Sequence, residues 1–329
     1  MKTIKRKDAL VYEANPNLEP ALKVKPKEVF KVEAEDNFEQ VLIKKGSGSF
    51  TADDLKAAQY TPLKANPVGG PIYIEGAENG DLLAITIEDV VPLQYGWTGE
   101  MLGSLQDKVG WEECHGYWAY VTEQKPGPSG TTSDGTVHID IDGQKFVWNA
   151  APFIGTIFTQ PQKGRGMPNT LLVNGPGGGN VDIRDVCKGS TVYLNSFNEG
   201  GLLYLGDCHA AQADSEFTGM AVECPADVTL SVNVIKNKRI PGVMRIEKAD
   251  SIIQVDTAGN SGTPTAALEN AFIGLMKWLV EEYGFSKRSA YINMTANPDV
   301  RIHVYQFIPG GGFFSCGVEI PKKYLNQGK

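Results

Sequence analysis

The sequence predicts a mainly β fold, sandwich- or barrel-like, with a smaller α/β part near the C-terminus, α+β overall. Three observations lead there. Short apolar runs with period-two alternation, punctuated by Gly, Pro, Asn and Asp, recur through most of the chain. One late segment, 265–284, switches to three- and four-residue spacing. A hydrophobic content of 41% over 329 residues is enough for a sizeable core. We read 1–329 as a single unit, divisible into a β-rich part, 1–150, and a site-bearing part, 151–329, that carries the α/β element.

Taken in order, 23–36 holds short alternating runs broken by Pro26, the pattern of strands at a sheet edge. The polar stretch 50–67 reads as a connection with one helical turn at 52–59. Residues 69–92 read as strand, turn at Asn79-Gly80-Asp81, then a longer strand with Leu83, Ile85 and Ile87 on one face. Aromatic residues crowd 95–120, fit for core, pocket edge or subunit interface. His115 lies there beside Cys114 and could reach a site, whereas His138 falls in a hairpin, 137–143, and reads as structural. Further strands are expected at 190–197, 201–205, 217–223, 227–235, 243–246, 252–255 and 300–307. Pro264 and Gly284 bracket the long helix, and a second helix covers 287–295.

With 31 basic and 39 acidic residues the net charge is −8, which argues against nucleic-acid and anionic-membrane partners. No secretory h-region follows the basic N-terminus, and no stretch approaches the ~18 apolar residues of a membrane span. Five cysteines without a Cys-x-x-Cys pair fit reduced thiols in the cytosol. A cytoplasmic protein is expected.

The candidate site is Gly206-Asp207-Cys208-His209-Ala210-Ala211-Gln212-Ala213-Asp214-Ser215-Glu216, which packs three carboxylates and one of four histidines into eleven residues. If the strand persists past Leu205, Asp207 and His209 project from one face and Cys208 from the other. Asp214 and Glu216 pair in the same way. A histidine and carboxylates converging at a strand end suit a divalent metal or acid–base chemistry. Upstream, the glycine run Gly177-Gly178-Gly179 presents Asn180 and Asp182 at a fixed place; it lacks the phosphate-loop and dinucleotide fingerprints.

The central motif, Gly-Asp-x-His-Ala-Ala-Gln-x-Asp-x-Glu followed by a glycine and Glu223, resembles the signature of the acetamidase/formamidase family. Residues 70–81, Gly178-Gly179-Asn180-Val181-Asp182 and the late helix with Ser289-Ala290-Tyr291 agree in order, so the resemblance spans nearly the whole chain. Ala213 and Ser215 stand where that family usually has glycines. The resemblance implies a cytoplasmic, homo-oligomeric, β-rich amidase acting on short amides, with zinc in some members. On that basis Asp207 and His209, with Asp182 or Glu223, are the expected metal ligands. Glu216 or Asp214 would relay a proton to the leaving ammonia, and Asn180 would donate to the oxyanion. Two alternatives stay open. One is an amidase using Cys208 as nucleophile. The other is a non-catalytic β-rich metal- or ligand-binding protein with a structural calcium at Asp182, Asp214 and Glu216, although the single histidine favours zinc.

Overall fold

The computed structural model describes residues 1–55, 64–100, 105–114, 116–162, 169–172, 174–309 and 312–326. Their strands form three sheets. The largest has nine strands, in the order Lys2–Ile4, Val29–Ala34, Ala226–Ile235, Leu82–Pro92, Thr191–Asn195, Met244–Glu247, Ser251–Thr257, Phe313–Pro321 and Arg301–Ile308. A six-stranded sheet runs Asn174–Gly175, Gly178–Asn180, Phe153–Thr159, Leu203–His209, Val68–Ile74 and Leu22–Val24. The third sheet, Gln144–Asn149, Thr136–Ile141, Trp118–Lys125 and Gly48–Ser49 with Tyr95–Glu100 beside Trp118–Lys125, is the smallest. Both larger sheets take strands from before and after residue 150.

Alternation places the core. Leu83, Ile85 and Ile87 are buried with Val228, Leu230 and Val232 of the neighbouring strand. Ile72, Ile74, Ile154, Ile157, Leu203 and Leu205 of the six-stranded sheet join the same cluster, so the two larger sheets close over one apolar layer. Burying each such side chain contributes about 1.5–3 kcal/mol.

Near the C-terminus a second core forms on the outer face of the large sheet. Helix Pro264–Tyr283 starts where the Thr263 side chain accepts from the Ala266 amide, and it ends at Gly284 in the left-handed region, φ 75°. Its stripe of Ala271, Leu275 and Leu279 packs on Ile252, Val318 and Ile320. The adjacent Ile253 and Val255 point into the main core instead. Strand Ser251–Thr257 is therefore buried on both faces, as a strand under helices must be. Helix Lys287–Ala296, capped by Ser286, follows.

Some expectations change. Residues 217–223 are a loop rather than a strand, and the Glu223 backbone pairs through isolated bridges to Trp97 and His209. The helical turn expected at 52–59 is a short 3-10 turn, Ala52–Asp54; the rest lies outside the described residues, as does His115. Strands Phe153–Thr159 and Phe313–Pro321 went unread. The aromatic stretch divides: Trp97 is fully buried, while Tyr95, Trp111, Tyr117 and Trp118 are exposed. His138 bonds Thr136 within its hairpin, as a structural histidine would. No described helix is long and apolar enough to cross a membrane.

Helix Pro264–Tyr283 lies so close to the sheet that a Cβ on Gly274 would sit 2.7 Å from Gln254 Cδ and Cγ. Gln254 cannot easily swing away, because its amide donates to the Pro241 and Met244 carbonyls and accepts from Arg245 Nε. Gly274→Ala gains ~1 kcal/mol in helix propensity but overpacks at a cost of ~1–3 kcal/mol. The expected result is a net loss on the order of 1 kcal/mol in unfolding free energy, seen as a lower denaturant midpoint; a higher midpoint would mean that Gln254 yields.

Candidate metal and acid–base centre

Strand Leu203–His209 is wholly buried and carries Asp207 and His209 to its end. Its register with Phe153–Thr159 pairs Thr156 with Gly206 and Ile154 with Cys208, leaving Asp207 at φ 53° opposite Gly155. The left-handed residue turns the Asp207 carboxylate toward the His209 ring, with Oδ1 3.7 Å from Nε2. Glu223 Oε2 approaches the same nitrogen at 3.2 Å. On the far side of the ring, Nδ1 meets Gln212 Oε1 at 3.2 Å. Gln212 Nε2 donates to the carbonyls of Asp182 and Tyr305, at 3.0 and 2.9 Å, so its oxygen must be the acceptor toward the ring. Nδ1 therefore carries a proton, and Nε2 is the nitrogen that faces the carboxylates and would turn its lone pair to a bound ion.

Asp182, Asp207, His209, Glu216 and Glu223 are all buried. Ligand atoms of Asp182, His209 and Glu216 lie within 4.8 Å of one another, and so do those of Asp207, His209 and Glu223. Some oxygens are clamped. Asn66 Nδ2 and the Thr156 hydroxyl hold Asp207 Oδ2 at 2.8 and 3.0 Å, the Ala221 amide holds Glu223 Oε1 at 3.0 Å, and Gln306 Nε2 donates to Asp182 Oδ2. Others are bare: Asp182 Oδ1, Glu216 Oε2 and Glu223 Oε2 have no hydrogen-bond partner among the described residues. Buried acceptors left unpaired around an imidazole lone pair are what a cation would satisfy, so this donor set fits a divalent metal.

Electrostatics agree. Burial, with Asp207 nearby, pushes Asp182 up to about 8, and burial beside Asp182 holds Glu216 well above the usual carboxylate range. Glu223 is raised chiefly by burial. Burial acts to lower His209, but Glu223 and Asp207 outweigh it and raise the imidazole well above its ordinary value. A bound cation would reverse the direction for the carboxylates.

Asn180, at the end of strand Gly178–Asn180, shares the one Thr156 hydroxyl hydrogen with Asp207 Oδ2 and donates from its amide to the Leu171 carbonyl. The glycines beside it are paired in the sheet on both sides. Asp214 is not brought into the cluster. Its side chain is 53% exposed and pairs with Arg184 at 3.1 Å, so the set Asp182, Asp214 and Glu216 is not assembled. Ser215 at φ 84° and Glu216 at φ 44° break the alternation that would have put 214 and 216 on one side. Cys208 packs into the main core, and burial pushes its thiol up to about 12, which leaves it no role as a nucleophile.

Several members of the site gave no sign in the sequence. Gly155 is one, since a Cβ there would lie 2.6 Å from Asp182 Oδ1 and 2.8 Å from His209 Cε1. Phe153 meets the His209 ring edge-on at 4.8 Å. Asn37 accepts from Trp97 Nε1, while Trp97 and Glu223 exchange backbone hydrogen bonds. Of the residues that hold the ligands, only Gln212 lay inside the recognised motif.

Among the described residues, the fold and site define a β-rich protein with an acid-lined centre gathered around His209. The sequence matches the Acetamidase/Formamidase family over residues 2–145 and 172–323, and the chain belongs to that family. It is similar to the acetamidase of Mycolicibacterium smegmatis, 25% identical over 358 residues, 86% of this chain and 84% of the relative. A formamidase of Methylophilus methylotrophus is 27% identical over 265 residues, 68% of this chain and 63% of the relative. The solved acetamidase of Yersinia enterocolitica superposes with a TM-score of 0.82 at 25% identity, covering 98% and 92% of the two chains.

Two predictions follow from the strained and buried backbone around the centre. Ser215 keeps its left-handed conformation because its amide donates to the Val304 carbonyl and its carbonyl accepts from Phe307. Such a residue costs on the order of 1–3 kcal/mol, part of which a glycine returns as unfolded-state entropy. Ser215→Gly should leave stability unchanged or raise it by about 1 kcal/mol in urea unfolding; a loss of that size would assign the serine side chain a role of its own. Asp36 is buried, with Oδ1 bound by the Phe38 and Gln40 amides and Oδ2 unpaired among the described residues, and burial raises it to about 7. A carboxyl raised on folding stabilises most when protonated, so its contribution fades as pH rises from about 4 to 7. The stability of Asp36→Asn relative to the parent should therefore climb across that window and level off above it, whereas a flat difference would refute the assignment.

Proposed function

We propose that the buried centre hydrolyses the C–N bond of a short linear amide, of formamide or acetamide type, to a carboxylate and ammonia with the help of a divalent metal. The observation that carries this is His209, fixed by Gln212 with Nε2 facing carboxylate oxygens that have no other partner. As a member of its family, the chain is an amidohydrolase acting on short linear amides.

His209, Asp207, Glu223 and Asp182 would hold the ion, with zinc the choice that the imidazole favours. When bound, the ion supplies Lewis acidity, lowering the pKa of water and polarising a carbonyl. The chain's own residues do the rest. Glu216, a carboxylate once a cation sits beside it, takes a proton from the attacking water and gives it to the departing nitrogen. Asn180 offers its remaining N–H to the oxygen that becomes negative as the carbonyl carbon turns tetrahedral. Gln212 and Gln306 keep His209 and Asp182 in place, and the Asn66 and Thr156 donors keep the Asp207 carboxylate aimed. Asp214, tied to Arg184, stands outside this relay.

We further read the chain as one working unit in the cytoplasm, where its five free cysteines would stay reduced, and as a homo-oligomer. The exposed Trp111, Phe146 and Trp148 supply apolar surface for such contacts.

Ammonia release from formamide, acetamide and propanamide is expected from the metal-loaded protein, is lost on chelation, and returns with zinc. His209→Ala should lose metal and turnover with the fold intact, and Gln212→Ala should weaken metal binding by about 10–100-fold. Activity indifferent to chelation, or surviving in His209→Ala, would sink the metal-assisted reading. Bound metal without turnover of any amide would leave a binding protein.

A further inference from the structure

The centre opens into two spaces that share a wall. The inner chamber, about 220 Å³, holds Asp182, Asp207, Glu223 and Asn180 at its polar end and Phe38, Leu171, Ile308 and Phe313 around the remainder. An outer cleft of about 520 Å³ lies beside it, lined by Trp148, Ala151, Phe217 and Val222. Glu216 and Met220 line both. Met220 is positioned from each side: Asn37 Nδ2 points at its sulfur from 3.7 Å, and its amide donates to Thr218 Oγ1 at 3.3 Å.

The inner chamber is larger than its simplest substrates. At about 220 Å³ it has room for a primary amide of several carbons, and formamide would leave much of it empty. Its apolar walls reward carbon rather than water. Resting on the amide-hydrolysis reading above, we infer that Met220 is the specificity-determining residue of this site. Its side chain closes the chamber against the outer cleft and so sets the longest acyl group accepted, about three to five carbons. Met220 is unbranched and flexible, a side chain suited to a partition that a slightly longer chain can press against.

The test is kcat/KM for straight-chain primary amides from formamide to octanamide, with zinc-loaded parent, Met220→Ala and Met220→Phe, folding being checked by circular dichroism and melting temperature. For the parent, kcat/KM should rise about three- to five-fold per methylene up to butanamide or pentanamide and then fall. Met220→Ala joins the two spaces and should shift the optimum at least two carbons longer. Met220→Phe should shift it shorter, which keeps the inference testable should the alanine variant fail to fold. A parent fastest on formamide or acetamide, or an optimum unmoved in a folded variant, would overturn the role of Met220 while leaving amide hydrolysis standing. No ammonia from any amide with the zinc-loaded parent would overturn both.

Discussion

Four carboxylates and one imidazole are buried together, and much of the surrounding architecture answers that electrostatic cost. Bringing ionised groups of one sign out of water is unfavourable by several kcal/mol each unless donors or a counter-charge meet them. The protein supplies the donors unevenly. Asp207 receives Asn66 and Thr156, Glu223 receives the Ala221 amide, and Asp182 receives Gln306, while the oxygens nearest the imidazole receive nothing. The unmet balance is concentrated at one point, and that concentration is what the proposed cation would answer.

Holding the groups there strains the backbone. Asp182, Asp207 and Glu216 all have positive φ, as does Asn66, which serves Asp207. Residues without glycine's freedom persist in that region only where the surroundings over-determine them. Here the two packed sheets do so: Leu203–His209 is flanked by Phe153–Thr159 and Val68–Ile74 and buried along its whole length, so its end cannot relax outward. Rigidity in the sandwich and strain at its rim are two aspects of one design.

Much of this was legible in the sequence because five of the key residues, Asp207, His209, Gln212, Glu216 and Glu223, crowd one short stretch, and because glycines announced Asn180 and Asp182. The fold was legible for a similar reason, since alternation in 82–92 and 227–235 and helical spacing in 265–284 report burial directly. Reading failed where local period stopped describing the backbone. Asp214 and Glu216 share a face only on an extended chain, and the left-handed Ser215 and Glu216 send one outward and one inward. Residues 217–223 have apolar content like a strand but no ladder to join. Asn37, Asn66, Thr156 and Gln306 were unreadable because each is a single polar residue whose partner lies far away in the chain, a relation that exists only after folding.

That distance has a consequence for how the centre comes into being. Strand Arg301–Ile308 supplies Gln306 to Asp182, the Tyr305 carbonyl to Gln212, and the backbone that fastens Ser215. A chain emerging from the ribosome has exposed every ligand of the centre well before this strand appears. Until it docks, Asp182 lacks its Gln306 donor, Gln212 lacks one of its two carbonyl partners, and Ser215 is unfastened. The assembled centre thus waits on this strand, so a chain truncated before it that keeps His209, Asp207, Glu223 and Asp182 would still lack the complete site.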